Sequence, residues 1–523
     1  MAVPRLRDPV SPASRPPGAD PALSARRLPL LVLGLLAVSL VPRLVHLGAP
    51  PLDRHDFRQT QTGITVWAFL DGGPSLLHPQ TPVLGPPWEV PFELPVFQLS
   101  AWAVARTTGL DLDLACRLTG VLWFYLSAWT LFLLVRRWGE SRLAIASAGI
   151  YLFTPFALQW SRAVLIDYAA VALALGSLHL GLTWTETSRI RPALGSVVLG
   201  AAAAATKVTT LVGVAAAAIA LCPPSFLVAL LRGSLPTRAR AVGGLLVLAG
   251  VPLAAGIAWT RWADAIKAAH PATAWLTSAH LTEWNFGTAA QRLSWEPWAR
   301  ILGRIGYALL PGTLALSVPL AILLAARGPQ PLRPLVRAAL AGALAPVLVL
   351  FNLYAVHDYY LIAISPFLAI VAASGVLQLV AMLPAARRGR WLALAATVTL
   401  LTSLPSWRYP WPTYAVDSGA PIARLGRLID RSTEPRQWVA VQGDQWNSRI
   451  LYTARRRGFM IWEGLTDVTP LAGRPEFGAL VCRECSPGLL ALFPRRRQVG
   501  QEAGWEVYRL WGPGEAEPGA QSR

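Results

Sequence analysis

The segment that decides the fold is LPLLVLGLLAVSLVPRLVHL, residues 28–47 of the 523-residue chain. A helix needs about 20 predominantly apolar residues to cross a bilayer, and this segment has that length. It follows a tail, residues 1–27, that is rich in Pro, Ala and Arg and that we predict to be disordered and cytoplasmic. Because the segment lacks a convincing small-residue cleavage site, we interpret it as a first membrane span and not as a signal peptide.

The composition agrees with a membrane protein. Hydrophobic residues make up 54% of the chain and charged residues only 14%, whereas a soluble domain has roughly a quarter charged residues. The formal net charge is +19, but nearly all the basic residues are Arg, and they fall in short clusters between apolar runs. Such clusters are typical of the cytoplasmic loops of membrane proteins. The pattern therefore excludes a soluble globular protein and argues against nucleic acid as a partner.

Further apolar runs follow the first span and predict a polytopic α-helical membrane protein of about 11 spans, with a membrane domain over residues 28–405. Arg clusters occupy alternate gaps between the runs, as the positive-inside rule requires if those gaps are cytoplasmic. This alternation holds only if residues 93–108 do not span, so we predict an interfacial helix over Phe92–Arg106. The two short runs on either side of Lys207 are interpreted as a broken pair. The runs after the first are 115–135, 142–158, 165–185, 193–206, 208–222, 241–259, 305–326, 336–355, 359–384 and 391–405.

The same topology places three long segments on the outer side of the membrane, at residues 49–114, 260–304 and 406–523. The 260–304 loop and its leading edge are rich in Trp, which favours an aromatic belt at the headgroups or a lid over a lipid or sugar, and the two are compatible. Residues 406–523 mix short apolar and polar runs with turns, which predicts a small α/β domain. In an oxidising compartment, Cys482 and Cys485 are expected to form a local disulfide.

The strongest chemical signal is RHDFRQTQ, residues 54–61, a few residues after the first span. It places a carboxylate, Asp56, beside an imidazole, two guanidiniums and an amide at the membrane surface. Such a loop is often simply solvated. Its interest increases because other ionisable groups are predicted on the same outer face, and because a charged group inside an apolar run is costly and usually functional. These groups are Asp167, Glu93, Lys207 and the segment His357–Tyr360.

These residue types have a shared chemical logic. A carboxylate beside an acceptor hydroxyl acts as a general base, and nearby cations stabilise a phosphate leaving group. Aromatic walls suit a lipid or a sugar. The residues therefore predict a hydrophobic groove that opens onto an extracytoplasmic pocket for an anionic lipid.

The order of these segments resembles the GT-C superfamily of polyprenyl-phosphate-sugar-dependent glycosyltransferases. The chain is similar to the bacterial relatives of the protein O-mannosyltransferases and of the lipid A aminoarabinose transferase, over roughly residues 28–462. The shared order of the motifs is fairly specific for the superfamily and says nothing about the acceptor. The segments that carry the resemblance are HDFRQTQT (55–62), PFELPVFQ (91–98), SRAVLID (161–167), TK (206–207), WNFG (284–287) with Arg292, VHDYYLIAISP (356–366) and WNSRILYTARRRGFMIW (446–462).

The chain departs from these relatives at two positions. The acidic pair of the mannosyltransferases is Asp-Glu, whereas here Asp56 is followed by Phe57. The Glu-Lys-Pro of the aminoarabinose transferases becomes Glu93-Leu94-Pro95, so its phosphate-binding Lys is absent. Arg58, Lys207 or Arg292 would then supply that charge.

The resemblance implies a multi-pass enzyme of the cytoplasmic membrane with an extracytoplasmic active site. It would transfer a sugar from a polyprenyl-phosphate carrier to a lipid, polysaccharide or protein acceptor, with inversion. Asp56 would be the general base and Asp167 would position the acceptor or share the proton. A divalent cation is a candidate cofactor, at Glu93. The residues that would bind substrate are Arg58, Gln59, Glu93, Lys207, Arg292, His357, Tyr359 and Tyr360.

A transporter or flippase of a lipid-linked sugar is the alternative, because buried charges and interrupted spans also occur in transporters. That function predicts charges throughout the bundle and two related halves. This chain keeps most of its carboxylates in the predicted outer segments, and the sequence has no evident internal repeat. The sequence therefore favours the enzyme.

Overall fold

The computed structural model describes residues 27–512 except 139–140, 223–227, 229–230, 233, 271, 329–331, 466–467, 469–470 and 472–473. Residues 1–26, most of the predicted tail, lie outside the described residues. The α-helices are Arg27–Leu44, Asp56–Gly72, Val96–Thr108, Leu112–Arg136, Ser141–Phe153, Pro155–Trp160, Asp167–Thr187, Ile190–Leu221, Leu235–Leu245, Val251–Ala269, Thr282–Phe286, Ala289–Leu293, Trp295–Arg304, Ser317–Arg327, Leu332–Val349, Phe351–Val356, Ser365–Met382, Arg388–Ser403, Trp411–Ala415, Pro421–Ser432, Arg449–Ala454 and Pro487–Leu492. Short 3-10 segments are Ala274–Leu276, Gly312–Leu316, Asp358–Ala363, Ala385–Arg387 and Leu404–Arg408, and π-helical turns are Leu246–Gly250 and Ile305–Leu309.

Six of the described helices are long and apolar enough to cross a membrane, or seven if one bent pair of helices is a single span. The chain is therefore a multi-pass membrane protein, but the predicted count of about 11 spans is not confirmed. The six are Leu112–Arg136, Asp167–Thr187, Ile190–Leu221, Val242–Ala269, Leu332–Val349 and Ser365–Met382.

Prolines shorten two of the predicted spans. The predicted span 142–158 becomes two helices that meet at Pro155. The predicted span 305–326 belongs to a pair of helices bent by 118° at a break that contains Pro311. Proline has no N–H to donate and its ring clashes with the preceding turn, so a helix rarely continues through it. Hydropathy alone does not register this interruption.

The predicted break at Lys207 is present. Within the helical segment Ile190–Leu221, Lys207 leaves helical geometry with φ −160° and ψ 89°, so that two helices adjoin at a kink. The half before Lys207 packs on helix Asp167–Thr187, and the half after it packs on helix Leu332–Val349. The two predicted short runs are therefore two halves of one kinked helix, and the kink presents the lysine side chain.

The C-terminal region contains a five-stranded sheet, which confirms a small α/β unit. Its strands are β1 (Trp438–Gln442), β2 (Gly458–Ile461), β3 (Phe477–Cys482), β4 (Arg496–Glu502) and β5 (Trp505–Leu510), in the order β2-β1-β3-β5-β4. β1 runs parallel to β2 and β3, whereas β5 is antiparallel to β3 and β4. The central strand β3 is apolar and buried along its whole length, while the edge strand β4 carries exposed Arg and Gln side chains, as an edge that must resist further pairing should. The predicted disulfide joins Cys482 and Cys485.

The first outer segment docks against this sheet through its backbone. Gly458 N–H donates to the Pro82 carbonyl (3.0 Å) and Met460 N–H donates to the Val83 carbonyl (2.8 Å), while Gly85 N–H donates to the Gly458 carbonyl (3.1 Å). Residues 82–85 thus lie along the free edge of β2. Backbone pairing of this kind fixes the register between the two segments.

A hydrophobic core spans the same junction. Ile64 and Leu112 from the membrane domain belong to one buried cluster with Val441 and Leu451 from the C-terminal region. Helix Asp56–Gly72, which begins at the candidate base, therefore has the C-terminal domain as part of its packing environment.

Close packing of two helices completes the junction. A Cβ on Gly63 would lie 2.6 Å from Tyr452 Cε2, a distance that real Cβ contacts do not show. Gly63 therefore allows helix Arg449–Ala454 to lie directly on helix Asp56–Gly72. The Tyr452 hydroxyl donates to Asp113 at the start of the next membrane helix, so the tyrosine is held at both ends.

Candidate active site

Asp56 is the first residue of helix Asp56–Gly72, directly after the strained residue His55. His55 has φ 53° and ψ 43°, the left-handed region that non-glycine residues rarely adopt. Asp56 Oδ1 accepts the Phe57 N–H at 2.8 Å, and Oδ2 is paired with Arg449 Nη1 at 3.0 Å. Asp56 is thus an oriented, partly exposed carboxylate.

Lys207 and Asp167 form a close ion pair. Lys207 Nζ lies 2.5 Å from Asp167 Oδ1, and both side chains are largely buried. Asp167 Oδ2 is buried, and the described residues offer it no hydrogen-bond partner. An unpartnered buried carboxylate oxygen is costly, so this oxygen retains an unused capacity to accept a hydrogen bond.

Two stacked tyrosines join this ion pair to the first outer segment. The Tyr359 and Tyr360 rings are stacked with their centroids 4.8 Å apart. Lys207 Nζ lies 4.2 Å from the Tyr360 centroid and 5.1 Å from the Tyr359 centroid, distances at which a cation is attracted to an aromatic face. The Tyr359 ring also meets the His55 ring edge to face, with the centroids 5.0 Å apart. One aromatic ring thus contacts both Lys207 and the residue that precedes Asp56.

Arg58 and Glu93, both predicted to bind substrate, are paired with each other. Arg58 Nη2 donates to Glu93 Oε2 at 2.7 Å, and Arg58 Nη1 donates to Gln61. The other Glu93 oxygen accepts from Gln98 Nε2 at 2.8 Å. The pair fixes the guanidinium at the first outer segment, two residues after the candidate base.

Gln59 is completely buried and connects two of the predicted motifs. Its side-chain oxygen accepts the Val164 N–H at 2.9 Å, and its amide nitrogen donates to the Arg54 carbonyl at 2.8 Å and to Asp53. Gln59 therefore holds the start of the helix at Asp56 against the segment that leads to Asp167. The geometry gives it a positional role.

Asp358 is a hub that sequence reasoning named only as part of a motif. It accepts from His55 Nε2 (2.8 Å) and the Tyr409 hydroxyl (2.8 Å), and it is paired with Arg54 (3.4 Å). Burial acts to raise the pKa of Asp358, but the hydrogen bond and charge of His55 outweigh it, so the pKa lies below its ordinary value. Asp358 therefore connects Arg54 and His55, the two residues before Asp56, to the segment that contains Tyr359 and Tyr360.

His357 lies between aromatic rings and has little access to solvent. Its ring is 5.1 Å from the His55 ring and 5.7 Å from the ring of Trp284, in the Trp-rich loop. Burial, with the nearby His55, lowers the pKa of His357 to about 4. At neutral pH the ring is therefore uncharged, so His357 offers hydrogen bonds and not a positive charge.

Arg292 is occupied by backbone carbonyls. Its guanidinium donates to the carbonyls of Phe286 (2.6 Å), Val349 (3.1 Å) and Leu348. The last two lie at the end of helix Leu332–Val349, where carbonyls have no helical partner. Arg292 therefore connects the WNFG segment to the C-terminal end of helix Leu332–Val349. Its positive charge lies beside the carbonyls of that helix end.

No role was predicted for Arg449 or Asp444, but the structure pairs Arg449 with Asp56 and Asp444 with Arg449. Arg449 was part of a segment resembling the family, but its partner is 393 positions away. The sequence offers a signal only for the pair of Asp444 and Arg449, because these two residues are five positions apart across a turn and have opposite charges. The contact with Asp56 has no such signal.

Among the described residues, one group of side chains has the spacing of a metal site, Cys482, Cys485 and Glu506. It lies in the C-terminal sheet, and its two cysteines form the disulfide, which removes their thiolates as ligands. At the candidate active site, both oxygens of Glu93 already accept hydrogen bonds from Arg58 and Gln98. The divalent cation considered from the sequence at Glu93 stays a hypothesis.

Comparison with solved structures identifies the fold. The chain is similar to ArnT from Cupriavidus metallidurans bound to undecaprenyl phosphate, with a TM-score of 0.58 and 15% identity over 94% of this chain and 100% of that one. It is also similar to the archaeal oligosaccharyltransferase AglB from Archaeoglobus fulgidus, in complex with an inhibitory peptide and a dolichol-phosphate. That match has a TM-score of 0.56 and 11% identity over 88% of this chain and 70% of that one.

The chain has the GT-C fold. Residues 90–259 also match the family model described as dolichyl-phosphate-mannose-protein mannosyltransferase. No curated protein sequence matches the chain. The resemblance to the GT-C superfamily, predicted from the order of the motifs, is therefore confirmed, and it supports a glycosyltransferase more than a flippase.

Proposed function

We propose that this GT-C protein is a glycosyltransferase that moves a sugar from a polyprenyl-phosphate carrier to an acceptor hydroxyl at the outer face of the cytoplasmic membrane. The observation that carries the proposal is the position of Tyr359. Its ring lies 5.0 Å from His55, next to Asp56, and 5.1 Å from Lys207, which is paired with Asp167. One aromatic ring thus contacts both Lys207, the proposed phosphate-binding cation, and His55, the residue that directly precedes the proposed base.

In the proposed reaction, Asp56 accepts the proton of the acceptor hydroxyl as the oxygen attacks the anomeric carbon. The bond between that carbon and the phosphate oxygen breaks, and polyprenyl phosphate leaves with the bonding electrons. Attack opposite the leaving group inverts the anomeric centre. The acceptor then carries the sugar, and the carrier retains its phosphate.

Lys207 and Arg58 are the cations that would stabilise the negative charge of the departing phosphate. Each is held by a carboxylate, Asp167 and Glu93 respectively, so neither has to be ordered when the donor binds. The unpartnered Asp167 Oδ2 would accept a hydroxyl of the sugar or the acceptor. The Tyr359–Tyr360 stack offers an apolar wall for the sugar ring or the first isoprene units.

The test uses purified protein in liposomes with a panel of polyprenyl-phosphate sugars. Mass spectrometry follows the release of free polyprenyl phosphate with and without a membrane extract as the acceptor source. We expect release that requires both the extract and Asp56, so that Asp56→Asn abolishes it. Asp71→Asn, at the exposed far end of the same helix, is the matched control and should retain release. Undiminished release by Asp56→Asn would remove Asp56 as the base, and intact donor that changes leaflet would favour a flippase.

A further inference from the structure

The C-terminal domain reaches the candidate base through one side chain. Arg449 begins helix Arg449–Ala454, and its Nη1 is 3.0 Å from Asp56 Oδ2. Its remaining donors bind Asp444, with Nε 2.8 Å from Oδ2 and Nη2 2.7 Å from Oδ1. The planar guanidinium therefore bridges two carboxylates that belong to distant parts of the chain. An ammonium group lacks this fork of fixed donors.

Two further contacts hold the segment that carries Arg449 against the helix that begins at Asp56. The Trp446 ring packs edge-on against Phe57, with centroids 4.6 Å apart. The Ser448 hydroxyl is hydrogen-bonded to the Thr60 hydroxyl at 2.9 Å. Phe57 and Thr60 are the first and fourth residues after Asp56, so the C-terminal segment follows the first turn of the helix that carries the base.

Asp444 determines the charge that Arg449 presents. Burial raises the pKa of Asp444 even though Arg449 opposes the shift. The Arg449 guanidinium is bonded to both carboxylates. Asp444 therefore shares the positive charge of Arg449 with Asp56 and holds the guanidinium in place beside Asp56.

We propose that Arg449 is a positioning residue for Asp56, and that the C-terminal domain orients the catalytic carboxylate through it. This inference rests on the proposed function, in which Asp56 is the general base. The Phe57 N–H holds Oδ1 and the Arg449 guanidinium holds Oδ2, so these two contacts define the plane of the carboxylate and the direction of its free lone pairs. Misalignment of a base by about 1 Å is enough to cost orders of magnitude in rate.

The experiment compares Arg449→Gln, Arg449→Lys and Asp444→Asn with the matched control Arg455→Gln. Arg455 directly follows the same helix and forms an ion pair with Asp111 of the membrane domain at 2.7 Å. The control therefore removes a docking contact of the same kind at a site remote from Asp56. The readouts are kcat and KM for polyprenyl-phosphate sugar, together with the unfolding temperature of each variant.

We expect Arg449→Gln to lower kcat by about tenfold or more while KM changes by less than about twofold, because the donor cations are untouched. Arg449→Lys should recover part of kcat, since one ammonium can contact Asp56 but cannot bridge both carboxylates. Asp444→Asn should also lower kcat. The kcat of Arg455→Gln should stay within about twofold of the wild-type value.

Equal kcat values for Arg449→Gln and Arg455→Gln, with an active wild type, would overturn this inference alone. The inference would also be overturned if the lower activity of Arg449→Gln were explained by a smaller amount of folded protein and if Arg449→Lys did not recover any kcat. A wild-type protein that releases no polyprenyl phosphate from any donor in the presence of extract would contradict the proposed function, and the inference with it.

Discussion

Lys207 Nζ lies 2.5 Å from Asp167 Oδ1 at the residue where helix Ile190–Leu221 leaves helical geometry. The kink and the ion pair have one cause. A lysine in a run of alanines is costly to bury unless its charge has a partner, and the interruption of the helix lets the side chain meet Asp167 at the start of a neighbouring helix. The Leu94 N–H donates to the carbonyl of Ala205, close to the kink, which ties the Glu93 segment to the same place.

The ion pair predicts different effects of single and double substitution. Lys207→Met leaves the Asp167 carboxylate buried without its cation, and we expect destabilisation by about 3–5 kcal/mol. We also expect release of polyprenyl phosphate to fall by at least about a hundredfold, as when one charge-stabilising group is removed. The double variant Lys207→Met with Asp167→Asn should regain much of the stability but none of the activity. Unfolding temperatures and release rates measure the two effects, and additive losses in stability would contradict the pairing.

The close contact between Gly63 and Tyr452 predicts that a larger residue at position 63 weakens the packing of the C-terminal domain on the membrane domain. Gly63→Ala places a methyl group 2.6 Å from Tyr452, so the ring must move, and we expect a cost of about 1–3 kcal/mol with faster proteolysis between the membrane domain and the sheet. Gly72→Ala on the same helix is the control, because its nearest neighbour would be an Arg457 side-chain nitrogen at an ordinary 3.7 Å. Combining Gly63→Ala with Tyr452→Leu should cost less than the sum of the two single variants. A fully additive pair would mean that the two residues do not meet.

His357 predicts a dependence of stability on pH. Burial lowers its pKa from 6.5 to about 4 in the folded protein. Between these values the unfolded chain binds a proton that the folded protein does not, so stability falls as the pH falls from about 7 towards 4. His357→Gln should show a smaller fall in unfolding temperature from pH 7 to pH 4.5 than the wild type. The exposed His78 is the control, and a His357→Gln slope equal to that of His78→Gln would exclude His357 as a source of the effect.

Much of the fold and part of the site could be predicted from the sequence, for identifiable reasons. Apolar runs and Arg clusters report hydropathy directly, so most helices lie where they were expected. The break at Lys207 was visible because a charge interrupts a small-residue run. Pro155 divides one apolar run into two helices, which is one reason why the structure does not confirm the predicted number of spans.

The remainder of the site depends on contacts that leave no local trace. Asp56 and Arg449 are 393 positions apart, and neither a period nor a motif indicates that they meet. Arg292 looked like a free cation at an outer loop, but carbonyls at a helix end bind its guanidinium. Residue type and spacing predict which charges and hydrogen-bonding groups a site contains. Tertiary packing decides which partners bind those groups.

Glu93 provides the last prediction, because its partners bear on the divalent cation considered as a cofactor. One oxygen accepts from Arg58 at 2.7 Å and the other from Gln98 at 2.8 Å. We therefore expect chelation of divalent cations with EDTA to leave the release of polyprenyl phosphate unchanged. Glu93→Gln should lower kcat/KM by about tenfold, about 1.4 kcal/mol, because Arg58 loses the carboxylate that holds its guanidinium. Glu89→Gln, in the same segment, serves as the control. Loss of release on chelation that added Mg²⁺ or Mn²⁺ restores in the wild type, but not in Glu93→Gln, would instead assign Glu93 as a metal ligand and would require Arg58 to give up its contact when the ion binds.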